Sequence, residues 1–201
     1  MYSTRANLIL GFHGCDEDVR NKIVTQQSID LKHSEEKWDW LGHGIYFWEN
    51  NDQRALEWAK EEHDRDPNKI KKPSAIGGII NLGYCLDLLD SANLQIVKEA
   101  HNSLILNNKN SGSPLPVNKN IKSDKNKDFV LRELDCAVIE TLHSTMKRRF
   151  DSVRGMFIEG EPLYKGAGFR DKDHIQICIL NPNCIKGYFV PRKTNGAYPS
   201  V

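Results

Sequence analysis

The feature that most constrains this chain is a pair of glycine-punctuated apolar segments, each delivering a polar ring. Leu8-Ile9-Leu10-Gly11-Phe12 reads as a strand that presents His13 at its end, followed by Gly14. Leu41-Gly42-His43-Gly44-Ile45-Tyr46-Phe47-Trp48 reads as a glycine-rich approach into a second short strand. Imidazole hydrogen-bonds hydroxyl groups, a glycine backbone can be approached closely, and a phenol ring stacks on flat aromatic rings. Each residue also has an ordinary role: His13 satisfied by backbone, Tyr46 with its ring in the core and its hydroxyl outward, His43 punctuating a turn. Phe47 points away from Tyr46 and is the core residue of the pair.

The remaining elements follow from periodicity. A helix is expected around Val19–Val24. Asn50 or Asn51 caps another, with Ala55, Leu56 and Ala59 on its apolar side. Residues 75–82 form a buried strand, and 86–90 lead into a helix from about Ser91 to Leu106. Asp128 caps a helix carrying Leu131, Leu134, Val138 and Leu142, whose end holds Lys147, Arg148 and Arg149. Phe150–Gly155 opens a strand and a loop. His174–Leu180 forms another strand that exits through Asn181-Pro182-Asn183-Cys184-Ile185, before a closing Tyr188-Phe189-Val190.

His13-Gly14, Gly44-Ile45-Tyr46-Phe47 with the Arg54-Ala55 helix, Asp151-Ser152-Val153-x-Gly155 and the Ile175–Ile185 strand and exit occur in one order. In that order the chain resembles the poly(ADP-ribose)-polymerase-type ADP-ribosyltransferases, over about residues 8 to 190. The resemblance implies an α+β fold with a split antiparallel β core, peripheral helices, and a cleft for nicotinamide adenine dinucleotide (NAD). It implies NAD as co-substrate, with no metal. The implied catalytic trio is His13, Tyr46 and a third residue, and the implied NAD-binding set is His13, Gly14, Gly44, Tyr46 and Arg54. Among bacterial members the chain is most similar to phage-defence toxins that ADP-ribosylate mRNA, which implies an antitoxin partner.

The third position departs from the family. Gln176 stands where many relatives carry glutamate. His174, Gln176 and Cys178 share one strand face, and Ile175, Ile177 and Ile179 the other. A glutamine amide orients a ribose hydroxyl but supplies neither negative charge nor a general base. In the resemblance, that loss goes with transfer of a single ADP-ribose. Glu159 or Glu161, on the loop before this strand, is an alternative source of carboxylate.

The segment from Glu161 to Arg170 occupies the place of the family's acceptor-recognition loop. Tyr164 and Phe169 can stack on bases, and Lys165, Arg170 and Lys172 can meet phosphates. The same residues can equally pack the loop and keep it soluble. RNA is the favoured acceptor and protein the alternative. Water as acceptor would make the chain an NAD glycohydrolase, and a module that binds NAD or ADP-ribose without cleaving it is a further reading.

With 201 residues, 39% hydrophobic and 27% charged, one domain spanning 1–201 is expected. A net charge of +1 gives no global pull toward nucleic acid or membrane. No apolar run approaches membrane-spanning length, and Met1-Tyr2-Ser3-Thr4-Arg5 lacks the apolar core of a signal peptide. The five cysteines are scattered without a Cys-x-x-Cys pair, as for reduced thiols in a cytoplasm. Residues 107–127 are low in complexity, with Lys109, Lys119, Lys122, Lys125 and Lys127 against Asp124, and read as a mobile basic loop. Gly166-Ala167-Gly168 lacks the flanking strand and helix of a dinucleotide phosphate loop.

Overall fold

The computed structural model describes residues 8–26, 28–120, 128–147 and 149–199. The expectations resting on residues 1–5, Lys122, Asp124, Lys125, Lys127 and Arg148 lie outside them. The fold is α+β. A seven-stranded, mostly antiparallel sheet runs in the order β4-β7-β8-β2-β1-β3-β9. Its strands are β1 (Ile9–Asp16), β2 (Ile45–Glu49), β3 (Pro73–Ile80), β4 (Cys85–Asp87), β7 (Ser152–Phe157), β8 (His174–Ile179) and β9 (Ile185–Phe189). Among the described strands only the β4–β7 pair is parallel. A separate ribbon pairs β5 (Asn118–Lys119) with β6 (Leu131–Arg132). The helices are α1 (Glu17–Thr25), α2 (Asp52–Arg65), α3 (Ser91–Ser111) and α4 (Glu133–Thr145). No helix among the described residues is long and apolar enough to cross a membrane.

Alternation along the strands explains the layers. Ile45, Phe47, Ile76, Ile80, Ile177 and Ile179 turn to one face, where Ile23 of α1 covers them. The other face carries two smaller cores. Phe12 and Trp48 pack under Ala55 and Trp58 of α2. Val153 and Cys178 pack under Ala100 and Leu104 of α3 and Val138, Ile139 and Leu142 of α4. Cys178, assigned from sequence to a polar strand side, is therefore fully buried in an apolar layer.

Several local expectations change. β1 continues to Asp16, so His13 sits inside the strand rather than at its end. Asp16 ends it by capping α1, accepting from the Asp18 amide at 2.9 Å. α3 runs to Ser111, five residues beyond the expected end, and closes on Gly112 at φ 69°. The 107–127 segment thus begins as helix. Leu131 belongs to β6 rather than to α4, and Asp128 does not cap α4. Its Oδ2 accepts from the Gly160 amide at 3.2 Å and its Oδ1 pairs with Arg170. The cap comes from Asn118, whose Oδ1 accepts from the amides of Leu134 and Asp135 at 3.0 and 3.3 Å. α4 ends at Thr145, so Lys147 and Arg149 lie past it.

Candidate functional site

The strands β8, β2 and β1 are neighbours, so the three motifs lie side by side, but alternation puts His13 on the face of Phe47 and Ile76, and Tyr46 and Gln176 on the other. β1 and β2 pair only at Gly11–Glu49 and Phe12–Trp48. Just beyond, the His13 imidazole takes over from the backbone ladder: its Nδ1 lies 2.7 Å from the Tyr46 carbonyl oxygen. A carbonyl only accepts, so Nδ1 carries the proton and Nε2 keeps a lone pair in the neutral ring. Burial lowers the His13 pKa below its ordinary value and the carbonyl bond only partly offsets this. His13 is neutral at pH 7, with Nε2 as a hydrogen-bond acceptor.

Tyr46 is placed differently from the sequence expectation. Its hydroxyl turns inward, donating to the Gly42 carbonyl at 2.8 Å and accepting from the Leu41 amide at 3.0 Å. Burial pushes the phenol well above its usual ionisation range. It therefore acts as an uncharged ring that also clamps the 41–44 turn. Gly44 closes that turn by exchanging backbone bonds with Ser34, and an added Cβ would lie 2.4 Å from Cys178 Sγ. At Gly14 an added Cβ would lie 2.2 Å from the Ala55 carbonyl oxygen. Both glycines thus permit close packing, of the turn on β8 and of α2 on β1.

Gln176 lies on the same sheet face as Tyr46 and Trp48, directly opposite Trp48. Its Oε1 accepts from Trp40 Nε1 at 2.7 Å. An indole nitrogen only donates, so the amide orientation is fixed: the oxygen is occupied and the NH₂ faces onward. Gln176 therefore presents its NH₂ group, a donor, as its open end. Trp40 was not singled out from sequence. The signal available was the glycine at 155, on which the indole rests: a Cβ there would meet the ring at 2.9 Å.

Arg54 is 95% buried by its 5% exposure and lies over the Trp48 ring, 5.8 Å from its centroid. Its two terminal nitrogens reach Glu61 and Glu159, each at 3.4 Å. Glu159 thus enters this corner, while Glu161 is exposed. Trp48 Nε1, Arg54 Nε and His174 Nε2 are all buried and find no hydrogen-bond partner among the described residues. The three groups are neighbours, with the His174 and Trp48 ring centroids 6.1 Å apart and Arg54 acting on His174 electrostatically. Burial lowers the His174 pKa to about 4. Its Nδ1 meets the Lys172 carbonyl, so its Nε2 is also a lone-pair acceptor. An unsatisfied buried polar atom costs about 1–3 kcal/mol, and three in one corner call for a physical reason.

Residues 158–173 form a hairpin closed by the Pro162–Arg170 bridge. Tyr164 and Phe169 are 62% and 66% exposed at its tip. Two of its three expected phosphate contacts are committed to protein: Arg170 to Asp128, and Lys172 to Glu61 at 3.0 Å. Lys165 has no ion pair among the described residues. A cavity of about 730 Å³ lies elsewhere, between α3 and α4, and His13, Tyr46 and Gln176 do not line it. Trp40 does. Among the described residues no three of His, Cys, Asp and Glu are grouped to hold a metal ion. Comparisons of the chain with protein-family models, curated proteins and solved structures give no match.

Proposed function

We propose that this chain is a mono-ADP-ribosyltransferase of the poly(ADP-ribose)-polymerase type that cleaves NAD and transfers ADP-ribose to RNA. The observation that carries the reading is the unspent hydrogen-bonding capacity gathered around β1, β2, β8 and α2. On the face of Tyr46 and Trp48 it comprises the Gln176 amide, Trp48 Nε1, Arg54 Nε and His174 Nε2, and His13, which alternates to the Phe47 face, adds Nε2 from beside the Tyr46 carbonyl. The donors suit anionic and ribose oxygens, and the two imidazole lone pairs suit sugar hydroxyls. The resemblance adds the order of motifs and a toxin's setting with an antitoxin partner.

In this reading His13 Nε2 accepts from a ribose hydroxyl, and the buried Tyr46 ring backs the nicotinamide. The Gln176 amide donates to the nicotinamide ribose. Breaking the bond from ribose C1′ to nicotinamide sends its electron pair to the ring nitrogen, so a cationic group leaves neutral. The chain's task is orientation and support of the electron-poor sugar. Glu159, held by Arg54, supplies negative charge that Gln176 lacks. An acceptor nitrogen then donates its lone pair to C1′ and releases a proton to water. The test is incubation with adenylate-labelled NAD and cell lysate, followed by separate nuclease and protease digestion. RNase-sensitive label is the expected result. Protease-sensitive label makes the acceptor protein, and free labelled ADP-ribose makes the chain a glycohydrolase.

A further inference from the structure

The cavity of about 730 Å³ between α3 and α4 falls in the size range of preformed small-ligand pockets. Its floor includes the fully packed Val138 and Ile139 of α4, whereas Leu89, Leu94 and Met156 stand about half exposed at its mouth. One wall is flat and polar. Trp40 lies there with the Arg132 guanidinium 5.0 Å from its ring centroid, and the same guanidinium sits 4.4 Å from Phe157. Lys98 and His101 project from α3, with no ion pair or hydrogen bond among the described residues. Asp135 faces in from α4, with one oxygen held by the Asn118 amide at 2.9 Å and the other 3.7 Å from an Arg132 guanidinium nitrogen.

This combination matches one chemical unit. Aliphatic and indole surfaces take the faces of a flat heterocycle, the Asp135 carboxylate, shared with Arg132, accepts from an exocyclic amine, and Lys98 meets an attached phosphate. The cavity's position sharpens the match. Trp40 forms its wall and donates to Gln176 at 2.7 Å, so the cavity and the ribose-holding residue share one side chain. Arg132 also donates to the carbonyls of Phe129 and Asp128, and the Asp128 carboxylate grips Arg170 of the exposed hairpin. A chain of hydrogen bonds and an ion pair thus links Arg170 of the hairpin, through Asp128 and Arg132, to the cavity wall.

We infer that the α3–α4 cavity is the acceptor pocket, receiving one nucleotide of single-stranded RNA while its neighbours cross the 158–173 hairpin. The inference rests on the transferase reading. A base amine at the mouth, beside Trp40, forms its nitrogen–C1′ bond as the C1′–nicotinamide bond breaks. The electron pair of the broken bond leaves with nicotinamide, and the amine's proton passes to water.

The test uses Leu94→Trp and Met156→Trp, two substitutions at half-exposed positions that fill the mouth without entering the floor. Binding of a fluorescent single-stranded RNA oligonucleotide is measured without NAD, and nicotinamide release is measured without RNA. Both variants should bind the oligonucleotide at least about tenfold more weakly, since a stacked base contributes that much or more. Nicotinamide release should stay at the parental level. The pocket assignment is overturned if the parent does not bind the oligonucleotide, or if both folded variants bind it as the parent does. It is also overturned if a polypeptide takes the label in a manner the two variants abolish. Should the parent bind RNA and the variants lose it while no form releases nicotinamide, the pocket stands and the transferase reading falls.

Discussion

Acidification should destabilise this protein through His174 well before its carboxylates titrate. The side chain is 7% exposed, stacked on Phe157 with ring centroids 5.3 Å apart, and bonded through Nδ1 to the Lys172 carbonyl. Burial, and secondarily the Arg54 charge, bring its pKa from 6.5 to about 4. In the unfolded chain it takes up a proton near pH 6.5, whereas in the native state it stays neutral to about pH 4. The stabilisation is therefore complete above pH 6.5 and is lost as pH falls toward 4. Each pH unit in that window is worth about 1.4 kcal/mol, so pH 5 should cost about 2 kcal/mol from this residue alone. His13 and His143 act in the same direction, since burial lowers both. Urea unfolding of the parent and of His174→Phe at pH 7.5 and pH 5 isolates the His174 share. The variant keeps a ring against Phe157 but has nothing to protonate. It should gain about 2 kcal/mol relative to the parent on going from pH 7.5 to pH 5. Equal losses in the two proteins would refute the assignment of a buried neutral imidazole.

Tyr46→Phe keeps the ring but removes the bonds to Gly42 and Leu41, so stability should fall by about 1–3 kcal/mol. Nicotinamide release by the folded variant, assayed at low temperature, should stay within several-fold of the parent, while Tyr46→Ala should lose most of it. Gln176→Glu keeps an acceptor for Trp40 Nε1, and its second carboxylate oxygen can accept from a ribose hydroxyl in place of the lost NH₂ donor, so NAD cleavage should persist, whereas Gln176→Ala leaves the indole N–H unpaired and should cut it on the order of a hundredfold. Kinetics on these variants check both statements. Tyr164→Ala and Phe169→Ala should weaken transfer to RNA with little change in NAD hydrolysis, because both rings stand in solvent at the hairpin tip.

The strands were the most legible part of the fold, because period-two alternation is local. Ile175, Ile177 and Ile179 identify one face of β8 without any tertiary information. The side opposite was misjudged at Cys178, since alternation says nothing about what covers a face, and α3 and α4 cover this one. The end of α3 was missed because Asn107–Ser111 are polar and the helix continues there as a solvated turn closed by Gly112. The cap of α4 was misassigned to the adjacent Asp128 because the true cap, Asn118, arrives from a separate ribbon. At the site, the three motifs fall on neighbouring strands, a pairing that their order along the chain does not encode. Their hydrogen-bonding roles depend on partners far along the chain, above all Trp40 on Gln176, 136 residues apart. No local pattern encodes that contact.

The central claim is that the corner built by β1, β2, β8 and α2 cleaves NAD. Its most direct measurement is nicotinamide released from NAD by the purified chain, alongside His13→Ala with its fold verified by circular dichroism. Removing the imidazole deletes the Nε2 acceptor and the Nδ1 bond that spans β1 and β2. The account predicts steady release by the parent and a drop of about a hundredfold or more in the variant. No release by the parent, or parental turnover in folded His13→Ala, would contradict it.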